Sequence, residues 1–159
     1  MARGTRQPSQ RPAPRRNDAP PPAGSAPWIF GFRGPQLPGP LARAIQEGRI
    51  AGLILFRDNL GPGVASALEL RREILSLVPA GRPFVLTADE EGGLITQTSR
   101  LRLPGGPAWP ATPTPRALGR LGDPRQARFV GRLLGRRLRS LGITSDLAPC
   151  LDLDVEQVA

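Results

Sequence analysis

From Trp28 onward the apolar residues fall into two kinds of block that take turns along the chain. One kind is a short run with few polar residues: Trp28 to Phe32, Ile50 to Phe56 and Phe84 to Ala88, with Ile143 to Leu151, which carries Thr144, Ser145 and Asp146, as a more polar fourth. Apolar runs of this length, with little polar alternation, predict strands covered on both faces. The other kind repeats at helical spacing. Leu41, Ala44 and Ile45 follow Pro38 and Pro40 and stop at Gly48, which predicts a helix opened by proline and closed by glycine. Ala67, Leu70, Ile74, Leu77 and Val78 mark a second helix over 64–78, with Arg71, Arg72 and Glu73 largely outside the stripe. Asp123 as N-cap and Pro124 at the first position open a third, which runs to Leu141 and ends at Gly142. Its apolar stripe is Ala127, Val130, Leu134, Leu138 and Leu141. The segment from Gly92 to about Arg116 is studded with proline and glycine and has no period. It reads as a long loop, and long loops in compact domains are usually functional.

Strand then helix, repeated, implies a parallel sheet with right-handed crossovers. Four such units are present, each with polar residues at the end of its strand: Arg33, Arg57-Asp58-Asn59, Asp89-Glu90-Glu91, then Asp152 and Asp154. A complete (β/α)8 barrel takes ~250 residues, so the expected fold is α/β, an incomplete TIM-type barrel of about four βα units. Residues 1–27 are rich in Pro, Arg, Ala and Ser without a hydrophobic period. They bury too little surface to offset the entropy of ordering. The domain expectation is therefore a disordered leader over 1–27 and a half barrel over 28–159.

The third run is where candidate chemistry gathers. It ends in Asp89-Glu90-Glu91-Gly92-Gly93, and glycine lets the backbone turn sharply because it takes positive φ without a Cβ clash. Polar ligands of α/β proteins sit at the carboxyl ends of parallel strands. The same five residues also fit an ordinary solvated turn.

Composition narrows the choice. The net charge is +9 and no histidine or tyrosine occurs; lysine is missing too, so every side-chain cation is an arginine. A basic chain can neutralise phosphates, but single-strand readers need aromatic platforms, and aromatics make up only 4%. Nucleic acid is thus an unlikely partner. Arg125, Arg128, Arg132, Arg136 and Arg139 form one stripe of the third helix, which reads as a solvated face rather than a phosphate site. The lone Cys150 allows no internal disulfide and reads as a small core residue. Without histidine the chain holds neither a His-ligated zinc site nor a Ser-His-Asp triad, and no metal or cofactor is expected. No apolar run approaches the ~20 residues of a membrane helix, and no secretory h-region is visible. The expected location is the cytoplasm.

Read together, the motifs resemble the N-terminal barrel domain of glycoside hydrolase family 3, in particular its bacterial β-N-acetylhexosaminidases. Gly52-Leu53-Ile54-Leu55-Phe56-Arg57-Asp58-Asn59 resembles the family's second-strand signature. Asp89-Glu90-Glu91-Gly92-Gly93 resembles its Asp-x-Glu-Gly-Gly motif, and Leu103-Pro104 the loop that follows. Leu141-Gly142-Ile143 and Leu147-Ala148-Pro149-Cys150-Leu151-Asp152 resemble its Leu-Gly-Ile and Ala-Pro-Val-x-Asp segments. The resemblance implies hydrolysis of terminal β-linked N-acetylglucosamine, as in peptidoglycan fragments, with retention. Retention uses two groups flanking the glycosidic bond; in this family these are an aspartate nucleophile and a histidine on a Lys-His-x-Pro-Gly-His-Gly loop. Neither segment is found in these residues, so no catalytic residue is assigned and the chain alone is expected to be inactive. The resemblance makes Asp89, Glu91 and Asp152 substrate-binding residues, with Asp89 and Asp152 binders rather than a catalytic pair. Where the family pattern continues Arg-Val-x-Arg after Gly-Gly, this chain has Leu94-Ile95-Thr96-Gln97. A half barrel also leaves two sheet edges unpaired, which predicts poor solubility or association with a second half-barrel chain. The alternative readings are a non-catalytic sugar-binding remnant and an arginine-rich nucleic-acid binder.

Overall fold

The computed structural model describes residues 27–151. The expected leader, apart from its last residue, lies outside that range, as do Asp152 and Asp154. The elements are β1 (Ile29–Phe30), α1 (Gly39–Gln46), β2 (Gly52–Ile54), α2 (Arg57–Leu60), α3 (Val64–Ser76), β3 (Val85–Ala88), α4 (Pro115–Leu121), α5 (Pro124–Leu141) and β4 (Ser145–Asp146). The strands lie in the order β1-β2-β3-β4, and each neighbouring pair is parallel. A sheet that advances one strand at a time without reversing is wound as a barrel wall; doubly wound sheets reverse their order at a switch point. The expected half-barrel arrangement is what the sheet shows.

The core lies between the sheet and its helices. Leu53 and Leu55 of the second strand and Leu86 and Ala88 of β3 pack with Ile45, Leu70, Ile74, Leu138 and Leu141. Each large aliphatic side chain buried this way contributes about 1.5–3 kcal/mol. Strand residues alternate between faces, so Leu86 and Ala88 turn toward the helices while Thr87 and Asp89 turn away from them.

The differences from the sequence reading have local causes. β1 and β4 each hold two residues, far fewer than the runs Trp28–Phe32 and Ile143–Leu151. Both are edge strands with one neighbour among the described residues. On β1 the open edge leaves Trp28 62% exposed. Past β4 the last ladder bond runs from the Leu147 N–H to the Ala88 carbonyl at 2.9 Å, and Pro149 has no N–H to continue it. Cys150 therefore lies beyond the sheet and is exposed, not a core residue. Arg57-Asp58-Asn59 form a one-turn helix, α2, instead of a simple polar end. The long loop is shorter than expected because Thr114 caps α4: its hydroxyl accepts the Ala117 N–H at 3.0 Å. The arginines at 125, 128, 132, 136 and 139 are all exposed, as a solvated face requires. No helix among the described residues is long and apolar enough to cross a membrane.

Candidate functional site

The tip of β3 carries Asp89, Glu90 and Glu91 in succession. Asp89 and Glu91 are half-buried, whereas Glu90 is only 1% exposed. Gly92 and Gly93 follow with φ of 89° and 63°. A Cβ on Gly93 would lie 2.2 Å from Thr114 Cγ2. The glycine pair thus answers both a left-handed backbone and a close approach.

Glu90 is the centre of the tip. Its Oε1 accepts the Thr96 hydroxyl at 2.6 Å, and its Oε2 accepts the Gln97 and Thr98 backbone N–H groups at 2.8 and 2.9 Å. A carboxylate buried this deeply is tolerated because its lone pairs are filled by donors. The loop gathered by Glu90 is strapped to both neighbouring strands. The Gln97 side-chain amide donates to the Asp89 carbonyl at 3.1 Å and accepts the Arg57 N–H at 2.9 Å. The Arg57 guanidinium donates to the Thr96 carbonyl. Asn59 ties β2's exit to β1's: its amide donates to the Phe32 and Gly34 carbonyls at 2.9 and 2.8 Å.

Two further charged groups complete the arrangement. Asp146 Oδ1 accepts the Glu90 N–H at 3.0 Å. Burial raises the Asp146 carboxyl above the usual aspartate range; the Glu90 N–H opposes this, and the Glu90, Asp89 and Glu91 charges add to it. Arg137 on α5 is 3% exposed, and none of its guanidinium nitrogens has a hydrogen-bond partner. It lies over the Trp109 ring, 5.6 Å from the centroid. Burial lowers its pKa, and the Glu90 charge works against that. Glu90 and Arg137 are therefore buried countercharges without direct contact.

The tip presents two faces. Asp146 stands in register with Ala88, so it shares the helix side of the sheet with Ala88 and Glu90. There a groove of about 610 Å³ is lined by Glu90, Glu91 and Asp146 together with Leu118, Val130 and Leu134. By strand alternation Asp89 falls on the opposite face, which is the interior in a closed barrel. The structure thus brings Asp89 and Glu91 to one strand end, as expected, but aims them differently. Asp152 lies outside the described residues. Sequence reasoning missed Glu90, Asp146 and Arg137. Glu90 stood inside the quoted motif, and Arg137 was visible as an arginine off the basic stripe, between Leu134 and Leu138. Among the described residues no group of three or more acidic, cysteine or histidine side chains is placed to hold a metal ion.

The model of the glycosyl hydrolase family 3 N-terminal domain matches residues 38–158. An uncharacterized secreted glycosyl hydrolase of Arthroderma benhamiae is 30% identical over 132 residues, which cover 81% of this chain and 35% of the relative. The β-hexosaminidase LpqI of Mycobacterium tuberculosis is 42% identical over 72 residues, covering 45% of this chain and 17% of its own. Among solved structures, a family 3 β-N-acetylglucosaminidase from Paenibacillus superposes with a TM-score of 0.68 at 29% identity, covering 79% of this chain and 23% of that one. NagZ from Neisseria gonorrhoeae superposes with a TM-score of 0.65 at 25% identity, covering 82% and 37%. The chain spans little more than a third, or less, of the length of these relatives.

Proposed function

Because the chain belongs to glycosyl hydrolase family 3, through that family's N-terminal domain, we propose that it forms the sugar-gripping part of a β-N-acetylglucosaminidase site. Asp89 is the principal ligand. An ionised carboxylate only accepts hydrogen bonds, so it suits the hydroxyl donors of a sugar ring. The observation that supports this reading is that Asp89 directly follows Ala88 at the carboxyl end of a parallel strand, with its carbonyl held by Gln97; strand alternation turns its side chain away from the helices. The family resemblance makes Glu91 and Asp152 binders as well, but Glu91 lines the groove on the helix side, so the reading rests on Asp89. The substrate is a terminal β-linked N-acetylglucosamine, such as that of a peptidoglycan fragment. Retaining chemistry needs a nucleophile and an acid/base. These residues contain no histidine, so the polypeptide by itself binds without turnover. No release of chromophore is expected from a chromogenic β-N-acetylglucosaminide; a measurable rate abolished by Asp89→Ala would overturn the binding-only role.

The proposal also assigns the open edges of β1 and β4 to a second half-barrel chain. Sedimentation of the purified protein tests this, and a sharp monomer with a cooperative melt speaks against it. The cytoplasm is the proposed compartment; a relative matching most of this chain is described as secreted, so fractionation of the producing cells is the deciding measurement.

A further inference from the structure

Beyond Ala88 the backbone ladder between β3 and β4 stops. Thr144 and Leu147 donate their N–H groups to the Leu86 and Ala88 carbonyls, each at 2.9 Å. The next N–H on β3's side that is fixed to β4 is that of Glu90, and its acceptor is a side chain, Asp146 Oδ1. We infer that Asp146 is a positioning residue of the sugar site, a latch whose carboxylate holds the Asp89–Glu90 peptide and so sets the direction of Asp89. The inference rests on the reading of Asp89 as a sugar ligand. The Glu90 N–H belongs to the peptide that joins Asp89 to Glu90, so rotation of that peptide would swing the Asp89 side chain. The Glu90 carboxylate is fixed separately by the 96–98 loop. Asp146 therefore holds the N–H end of the Asp89–Glu90 peptide, while the loop holds the Glu90 side chain and, through Gln97, the carbonyl end of that peptide.

The latch is sensitive to protons. The charges that act on Asp146 are those of Glu90, Asp89 and Glu91 from the tip of β3; Asp123, at the start of α5, shares its groove, and Arg139, near the end of α5, lines a second hollow with it. From α5, Arg137 acts on Glu90. Burial and the three tip carboxylates raise Asp146, so it takes up a proton at higher pH than an ordinary aspartate. Above that point the Glu90 N–H bond is charge-assisted, and below it the bond is a weaker neutral one.

The test uses the full chain, labelled with nitrogen-15. The Glu90 amide resonance is followed against pH in the parent, Asp146→Asn and Asp146→Ala, and each is titrated with methyl N-acetyl-β-glucosaminide. The asparagine keeps an acceptor at Oδ1 but cannot titrate. The parent amide should shift with a midpoint above the usual aspartate range, and the shift should vanish in Asp146→Asn. Sugar affinity should stay within about twofold in Asp146→Asn and fall about tenfold or more in Asp146→Ala, the effect of losing one hydrogen-bonded support. A parent amide that ignores pH, or equal losses in the two variants, overturns the latch. If the parent binds no sugar, the proposed function fails, while the pH response of the Glu90 amide still decides the latch.

Discussion

Replacing Glu90 should separate the two jobs its carboxylate performs, and the structure sets the size of each. Glu90→Leu keeps roughly the volume but removes every acceptor. The Gln97 and Thr98 N–H groups lose their partners. An orphaned buried donor costs about 1–3 kcal/mol, so the pair costs about 2–6 kcal/mol. The Thr96 hydroxyl adds little because it can rotate. Arg137 is left as a buried cation without its countercharge, which adds to the loss. That sum is a large part of the ~5–15 kcal/mol that holds a domain together. Glu90→Gln is milder. Its carbonyl oxygen can take both backbone N–H groups while its amide faces the Thr96 oxygen, so only the charge assistance disappears, about 1 kcal/mol. Urea unfolding followed by tryptophan fluorescence measures both, because Trp109 packs on Arg137 beside the same loop. The midpoint should fall slightly for Gln and steeply for Leu at a common denaturant slope. Adding Arg137→Met to Glu90→Gln should cost less than the sum of the two single changes, since the double variant leaves no lone buried charge. A Leu variant as stable as the parent, or strictly additive losses, would refute the view of Glu90 as a buried charged hub.

Other consequences follow from the same geometry. Asp146 is raised in the folded state, so the native protein binds its proton more tightly than the unfolded chain. Its contribution to stability therefore grows as pH falls through the folded pKa and is complete below the ordinary aspartate range. Melting temperatures from pH 7 to pH 4 should show that increment in the parent and lack it in Asp146→Asn, which should be at least as stable at pH 7. Gly93→Ala places a Cβ 2.2 Å from Thr114 Cγ2 at a positive φ. It should cost more than about 1 kcal/mol, and a variant with an unchanged urea midpoint would show that the Gly-Gly turn relaxes freely.

The parts of this molecule that could be read in advance are those whose determinants are local. β2 and β3 announce themselves because burial on both faces leaves a run that is apolar apart from Thr87. α5 does so because Asp123 caps it, accepting the Arg125 N–H at 2.9 Å, with Pro124 at the first position. α2 has four residues, too few to show a period. α4 buries none of its residues, so no apolar stripe marks it; only Thr114-Pro115 signals its start. The lengths of β1 and β4 depend on neighbours, which sequence pattern does not report. The site divides the same way. Asp89 and Glu91 stand in a contiguous motif ending in two glycines that the backbone demands. Glu90 acquires its role only when the 96–98 loop folds back, and Asp146 only when residues 56 positions apart meet across two strands. Arg137 stands off the basic stripe of its helix, but only its burial shows that it has left the wet face.

The central claim is that Asp89 at the tip of β3 grips a β-linked N-acetylglucosamine. Amide resonances of the labelled 159-residue chain, followed during titration with methyl N-acetyl-β-glucosaminide, test it most directly. Saturable shifts centred on residues 88–98, lost in Asp89→Ala and unaffected by the α-anomer of N-acetylgalactosamine, are predicted. Shifts that never saturate, or that gather on the arginine face of α5 instead, would contradict the account.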